Sequence, residues 1–216
     1  MMSPAPLSPS ARALRREPAR PRLAWAGQPP QREAARERLL DAAARCIARD
    51  GLTATGIASV ADEAGVSRPT VYRYFEDRDA LVQAALHRAG AAQLAELKAH
   101  LAGFPRPEAQ AVEAVLFALR AIPAHPVLRQ MWNAPLVEAA IVQRFSGPLA
   151  LSLCAGALDG LSAAAEWSEA EAREAIETML RFTLSLLLAP EPHRGERALR
   201  GFLRRRLVPA LGLERS

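Results

Sequence analysis

The chain has 216 residues, half of them hydrophobic and 24% charged, with 28 Lys+Arg against 23 Asp+Glu. That length suits one compact body, or a small domain joined to a larger one, with ample apolar material for a core. Cys46 and Cys154 lie far apart and exclude a disulfide framework, and the longest uncharged stretch, Phe145 to Leu158, is too short for a membrane helix.

Residues 1–30 hold Arg12, Arg15, Arg16, Arg20 and Arg22 against Glu17 alone, together with seven prolines. Such a segment cannot build regular structure and is expected to be a disordered basic arm, either a solvated tail or one that tracks a DNA backbone or enters a minor groove. Pro4, Pro6 and Pro9 interrupt the residues after Met1, so no secretory h-region is visible and the expected location is the cytoplasm.

From Gln31 the pattern is helical. Leu39, Leu40, Ala43, Cys46 and Ile47 mark one face of a helix that stops at Gly51. A short helix over Ile57–Ala64 comes next, then Gly65, then another over Arg68–Phe75. Asp77 is placed to cap a longer helix through Ala80, Leu81, Ala84, Leu94 and Leu97, which Gly103, Pro105 and Pro107 end. That cut is the predicted boundary between a unit over 31–100 and one over 101–216. Beyond it, Glu108–Ile122 reads as helix up to Pro123 and Pro126. Short helices over Val127–Trp132 and Leu136–Phe145 and a longer one over Leu149–Glu166 come next. Ser168 with Glu171 forms a capping box for a helix running to Leu188, and Glu196–Leu207 is the last. No period-2 run of β-branched residues persists, so the predicted fold is all-α.

The informative stretch is Thr55–Arg78, TGIASVADEAGVSRPTVYRYFEDR. Two short helices joined by a tight turn need a small residue, a glycine for positive φ and a cap, which Ala64, Gly65 and Ser67 supply, with Val66 as the apolar plug. Ile57, Val60 and Ala61 give the first helix a buried face. In the second, Val71 and Phe75 point inward, which leaves Arg68, Pro69, Thr70, Tyr72, Arg73 and Tyr74 on the outer face and its edges. No acid lies between Gly65 and Phe75. Arginine forks suit guanine edges or phosphates, Thr70 a phosphate or thymine methyl, and the tyrosine hydroxyls passing phosphates.

Here the sequence resembles the tetracycline-repressor (TetR) family of bacterial transcriptional regulators. The matching residues are Leu39-Leu40-Asp41-Ala42-Ala43, Gly51, Thr55, Ile57, Val60-Ala61, Ala64-Gly65-Val66-Ser67, Thr70, Tyr72, Phe75 and Ala80-Leu81, in the family's order and spacing. The resemblance implies a three-helix DNA-binding domain, a linking helix and a divergent C-terminal domain that dimerises and usually binds a small effector. It implies base contacts at Arg68, Pro69, Thr70 and Arg73, and phosphate contacts at Thr55, Tyr72, Tyr74 and Arg78. Gly56 stands where a Ser or Thr usually caps, and Ile47 where an aromatic is frequent.

The helices Ser168–Leu188 and Glu196–Leu207 are apolar on several sides, as buried or partnered helices are. Ile176, Met179, Leu180, Leu184, Leu187, Leu199, Phe202 and Leu203 are the expected interface of a C2 homodimer, through the four-helix arrangement that the resemblance implies. Phe117, His125, Met131, Trp132, Asn133, Cys154 and Trp167 are the expected lining of a pocket for a small hydrophobic or aromatic effector. Gly160-Leu161-Ser162-Ala163-Ala164 misses a nucleophile elbow, and His87, His100, His125 and His193 lack metal-ligand spacing. Arg204-Arg205-Arg206 reads as a solvated face. The expectation is therefore a non-enzymatic regulator that binds a near-palindromic operator in double-stranded DNA, needs no cofactor or metal and touches no membrane. The competing reading is a regulator whose C-terminal half binds a protein partner instead of an effector.

Overall fold

The computed structural model describes residues 29–131, 148–189 and 195–213, all helices and their connections, with no strand among them. The first helix, α1 (Pro29–Asp50), buries Leu39, Leu40, Ala42, Ala43, Cys46 and Ile47 along one face. It ends where Gly51 turns to φ 85°, in the left-handed region that a side chain resists. In α2 (Ile57–Ala64) the first turn is capped through Ser59, whose hydroxyl accepts from the Gly56 amide at 3.0 Å, so a glycine suffices at the cap. Gly65, at φ 68°, closes the helix, and the Val66 amide reaches back to the Ala61 carbonyl at 2.9 Å.

Helix α3 (Arg68–Tyr72) is shorter than the expected Arg68–Phe75, but the Phe75 amide still bonds the Val71 carbonyl and both side chains are buried. Ser67 holds the N-cap position without capping. Its hydroxyl pairs with Thr70 Oγ1 at 2.9 Å instead of an amide. Asp77 does cap α4 (Arg78–Leu101), accepting from the Ala80 amide at 2.7 Å. Ile57, Val60, Ala61, Val71, Phe75, Leu81, Val82 and Ala85 close a compact cluster against α1. Fully burying one such side chain contributes roughly 1.5–3 kcal/mol.

Helix α4 serves two cores. Its first half joins that N-terminal cluster, while Leu97 and Leu101 belong to a second cluster with α5 (Pro107–Ala124) and the later helices. Pro123 does not break α5, as the sequence suggested. It lies in the last turn, where the His125 amide bonds the Ala121 carbonyl. A 3-10 helix, Leu128–Met131, comes next and returns the chain to the N-terminal cluster, in which Val127 is buried.

The expected single helix over Leu149–Glu166 is two, α6 (Pro148–Ala157) and α7 (Asp159–Ala164). Asp159 accepts from both the Gly160 amide and Lys98 Nζ, at 2.7 Å each, and pins the break to α4. Ser162 donates to the Leu158 carbonyl, as helix-interior serines do. Ser168 and Glu171 form the reciprocal cap of α8 (Glu169–Leu188), and α9 (Glu196–Ala210) carries Pro209 in its final turn. The segments 1–28 and the expected helix Leu136–Phe145 lie outside the described residues.

Candidate nucleic-acid interface

The outer face of α3 is set by the two residues that do not face out. Val71 is fully buried and Phe75 nearly so, with the Arg36 guanidinium 5.4 Å from the Phe75 ring centroid. Arg68, Pro69 and Arg73 are consequently exposed, and Tyr72 is 55% exposed, unusual for a large aromatic side chain. Arg73 leans over the Tyr74 ring, 5.9 Å from its centroid. Thr70 is half-buried beside Ser67.

Charge pairing decides what this face presents. Residues 31–81 carry eight arginines and nine acids, so the sequence alone shows no positive surface there. The structure resolves the sum. Glu63 of α2 accepts from Arg45 at 2.7 Å and from Arg49 at 3.0 Å, which holds its carboxyl below the usual range and clamps α2 to α1. Asp50 is paired with Arg49, and Glu37 and Asp41 with Arg88 of α4 at 2.8 Å each. Arg68 and Arg73, by contrast, have no carboxylate within 4.0 Å among the described residues. The arginines behind the motif are thus held by acids, whereas Arg68 on α3 and Arg73 at its C-terminal end are left for a partner. Apart from the adjacent Arg49–Asp50, the pairs join residues 14 to 51 positions apart, which no local pattern in the sequence reveals.

Three residues expected at phosphates are placed otherwise. Thr55 is wholly buried, its hydroxyl donated to the Gly51 carbonyl at 2.8 Å, so it ties the loop instead of reaching outward. Arg78 donates to the carbonyls of Thr55 at 2.8 Å, Leu52 at 2.5 Å and Thr53 at 3.3 Å, and pairs with Asp79. Its fork laces the α1–α2 loop to α4. Tyr74 packs against the N-terminal cluster, and its hydroxyl is buried with no hydrogen-bond partner among the described residues.

A model of a protein family described as bacterial regulatory proteins, tetR family, matches residues 39–85, the span that holds this motif and its supports. Over that stretch the chain matches the N-terminal unit of the TetR family. Its likeness to an uncharacterised HTH-type transcriptional regulator of Mycobacterium tuberculosis is 33% identity over 96 residues, 44% of this chain and 48% of that one. The chain spans about half the length of the curated relatives it matches. The solved TetR family repressor AlkX from Dietzia sp. strain DQ12-45-1b superposes with TM-score 0.60 at 23% identity, covering 82% of this chain and 95% of that one. The multidrug binding protein EbrR, complexed with ethidium, gives 0.55 at 26%, covering 79% and 96%. An N-terminal helix-turn-helix unit followed by a helical C-terminal body is thus the fold of this chain as well.

The C-terminal expectations are redistributed. Ile176, Met179, Leu184 and Leu203 lie in the chain's own core rather than on an outer face. Leu180, Leu187, Leu199 and Phe202 are only partly covered, and Leu188 is 43% exposed. Of the expected pocket residues, His125 accepts from the Val127 and Leu128 amides at 3.2 Å each, which makes it a cap for the 3-10 helix, and Met131 is buried. Phe117, Cys154 and Trp167 pack against the C-terminal cluster, and burial pushes the Cys154 thiol up to about 11. Trp132 and Asn133 lie outside the described residues. No expected residue lines a cavity bounded by the α4–α5 connection, α5 and α9. Sequence reasoning also missed Val127 and Gln130. The Gln130 amide donates to the Ala48 carbonyl at 3.3 Å, joining the segment after α5 to the end of α1. No described helix is long and apolar enough to cross a membrane.

Proposed function

We propose that this chain is a sequence-specific DNA-binding transcriptional regulator of the TetR family. The observation that carries the reading is the α3 face, where Arg68 and Arg73 are exposed without carboxylate partners beside the exposed Tyr72. A guanidinium with no internal partner keeps its full capacity for guanine edges or phosphates, and a stiff phenol beside it suits the groove wall. Pro69, Thr70 and Arg68 face the bases in this reading, and Tyr72 the backbone. The chain acts as a C2 homodimer joined through the partly covered faces of α8 and α9, at Leu180, Leu187, Leu199 and Phe202, and presents two α3 helices to a near-palindromic operator. A small-molecule effector releases it, which makes it a repressor. Similarity to the ethidium-bound EbrR supports an effector role, and the contact of Val127 and Gln130 with the reading head supplies a mechanical link.

Selecting DNA fragments from a random pool with the purified protein tests the reading. Enrichment of a two-fold-related sequence is expected. Recovery of an unenriched pool would refute it.

A further inference from the structure

A cavity of about 320 Å³ opens between the α4–α5 connection, the start of α5 and α9. Its size lies at the small end of ligand sites, which run from about 300 to 1,000 Å³. Phe104, Pro105, Ala109 and Val112 make its apolar side. Its charged side is more informative.

Glu113 is 4% exposed, and a carboxylate so deeply placed needs compensation. Arg200 of α9 pairs with it directly, and His100 Nε2 stands 3.6 Å away with no hydrogen-bond partner among the described residues. The second arm of Arg200 goes to Glu196 at 3.2 Å, and Arg106 at the cavity lip faces Glu108 at 3.6 Å. Arg204, one turn beyond Arg200 and exposed at the cavity rim, is the lining arginine with no carboxylate within 4.0 Å among the described residues. The cavity therefore offers one uncommitted guanidinium against an apolar wall, with its buried acid already neutralised.

We infer that this cavity binds a small organic carboxylate with an apolar tail. The carboxylate meets Arg204 as a charge-assisted pair, and the tail lies against Phe104, Ala109 and Val112. A single free guanidinium matches a monoanion, and the apolar wall disfavours a heavily hydrated dianion such as phosphate. Arg200 acts by holding Glu113, whose unpaired charge would repel the ligand. The inference rests on, and sharpens, the effector part of the proposed function. The cavity sits at one end of α5, and the other end of that helix leads to Val127 in the N-terminal cluster.

Calorimetric titration of the full chain with sodium octanoate, without DNA, tests it. Saturable binding is expected, weakened about tenfold or more by Arg204→Ala or by replacing octanoate with 1-octanol, the loss of one charge-assisted bond. Arg205→Ala, an exposed change on the same helix outside the lining, should leave binding intact. Ala109→Phe, which fills the cavity, should abolish it, with helical circular dichroism reporting that the variant folds. Absence of octanoate binding at millimolar concentration, or equal binding by the Arg204→Ala variant or of 1-octanol, would overturn the assignment. Adding octanoate to a preformed DNA complex separates the two claims. Octanoate bound through Arg204 with DNA fully retained would sink the effector reading and leave the cavity assignment standing.

Discussion

Arg78 separates what the resemblance implies from what the structure shows. The resemblance puts this residue on a phosphate, whereas here its guanidinium donates to the carbonyls of Thr55, Leu52 and Thr53, all in the loop between α1 and α2. Hydrogen bonds from a charged donor contribute roughly 1.5–3 kcal/mol each when well buried. The Arg78 side chain is 41% exposed, and the freed Thr53 carbonyl can take water, so three full contributions would overcount. Arg78→Ala should therefore cost about 2–3 kcal/mol of stability, close to one strong bond. Arg78→Lys should recover little, because an ammonium cannot span three carbonyls as a planar fork does. Urea unfolding followed by circular dichroism gives the stability change, and fluorescence anisotropy on selected DNA gives the affinity. A midpoint shifted to lower urea with affinity of the folded protein within about threefold of wild type is expected. An unchanged midpoint with a tenfold loss on every DNA sequence would refute the reasoning and return Arg78 to the phosphate.

Arg68→Ala should lose about 1–3 kcal/mol on selected DNA and far less on scrambled DNA, as base-reading contacts do; equal losses in a two-sequence anisotropy titration would count against it. Glu63 is held below its usual range by Arg45 and Arg49, so its contribution is fully present above about pH 4.5 and lost as pH falls through its lower folded value. Denaturation at pH 7 and pH 3.5 should thus show a smaller acid loss for Glu63→Gln than for wild type, and identical losses would contradict the clamp. Burial raises the thiols of both Cys46 and Cys154, so neither should react with a thiol reagent at pH 7.5 until the chain is unfolded in urea. Leu187→Glu should shift light scattering from twice 23.3 kDa to 23.3 kDa with helicity retained, while a persistent dimer would move the interface elsewhere.

Periodicity carried the reading of α1 to α4 well, because the apolar spacing is regular and the boundaries are unambiguous: stops at Gly51 and Gly65 and a start at the Asp77 cap. The buried roles of Val71 and Phe75 come from spacing alone, and with them the outward turn of Arg68, Tyr72 and Arg73. What could not be read was which arginines are spent. Arg45, Arg49 and Arg88 find their acids across helix junctions, and only the folded arrangement separates them from Arg68 and Arg73. In α8 and α9 apolar residues fall on several sides, so pattern alone cannot divide Met179 and Leu203, which fill the chain's own core, from Leu187, which is only partly covered and lies outside that cluster. The Glu113–Arg200 pair joins α5 to α9 across 87 positions, and the cavity beside it exists only once those helices meet.

The unpaired Arg68 and Arg73 carry the DNA-binding claim, and one measurement addresses them directly. DNA affinity measured across a salt series for wild type and for the Arg68→Ala/Arg73→Ala double variant should give a steep fall with salt for wild type. The double variant should show a shallower slope by about one to two contacts and at least tenfold weaker binding to selected DNA. Superimposable salt slopes and affinities for the two proteins would contradict it.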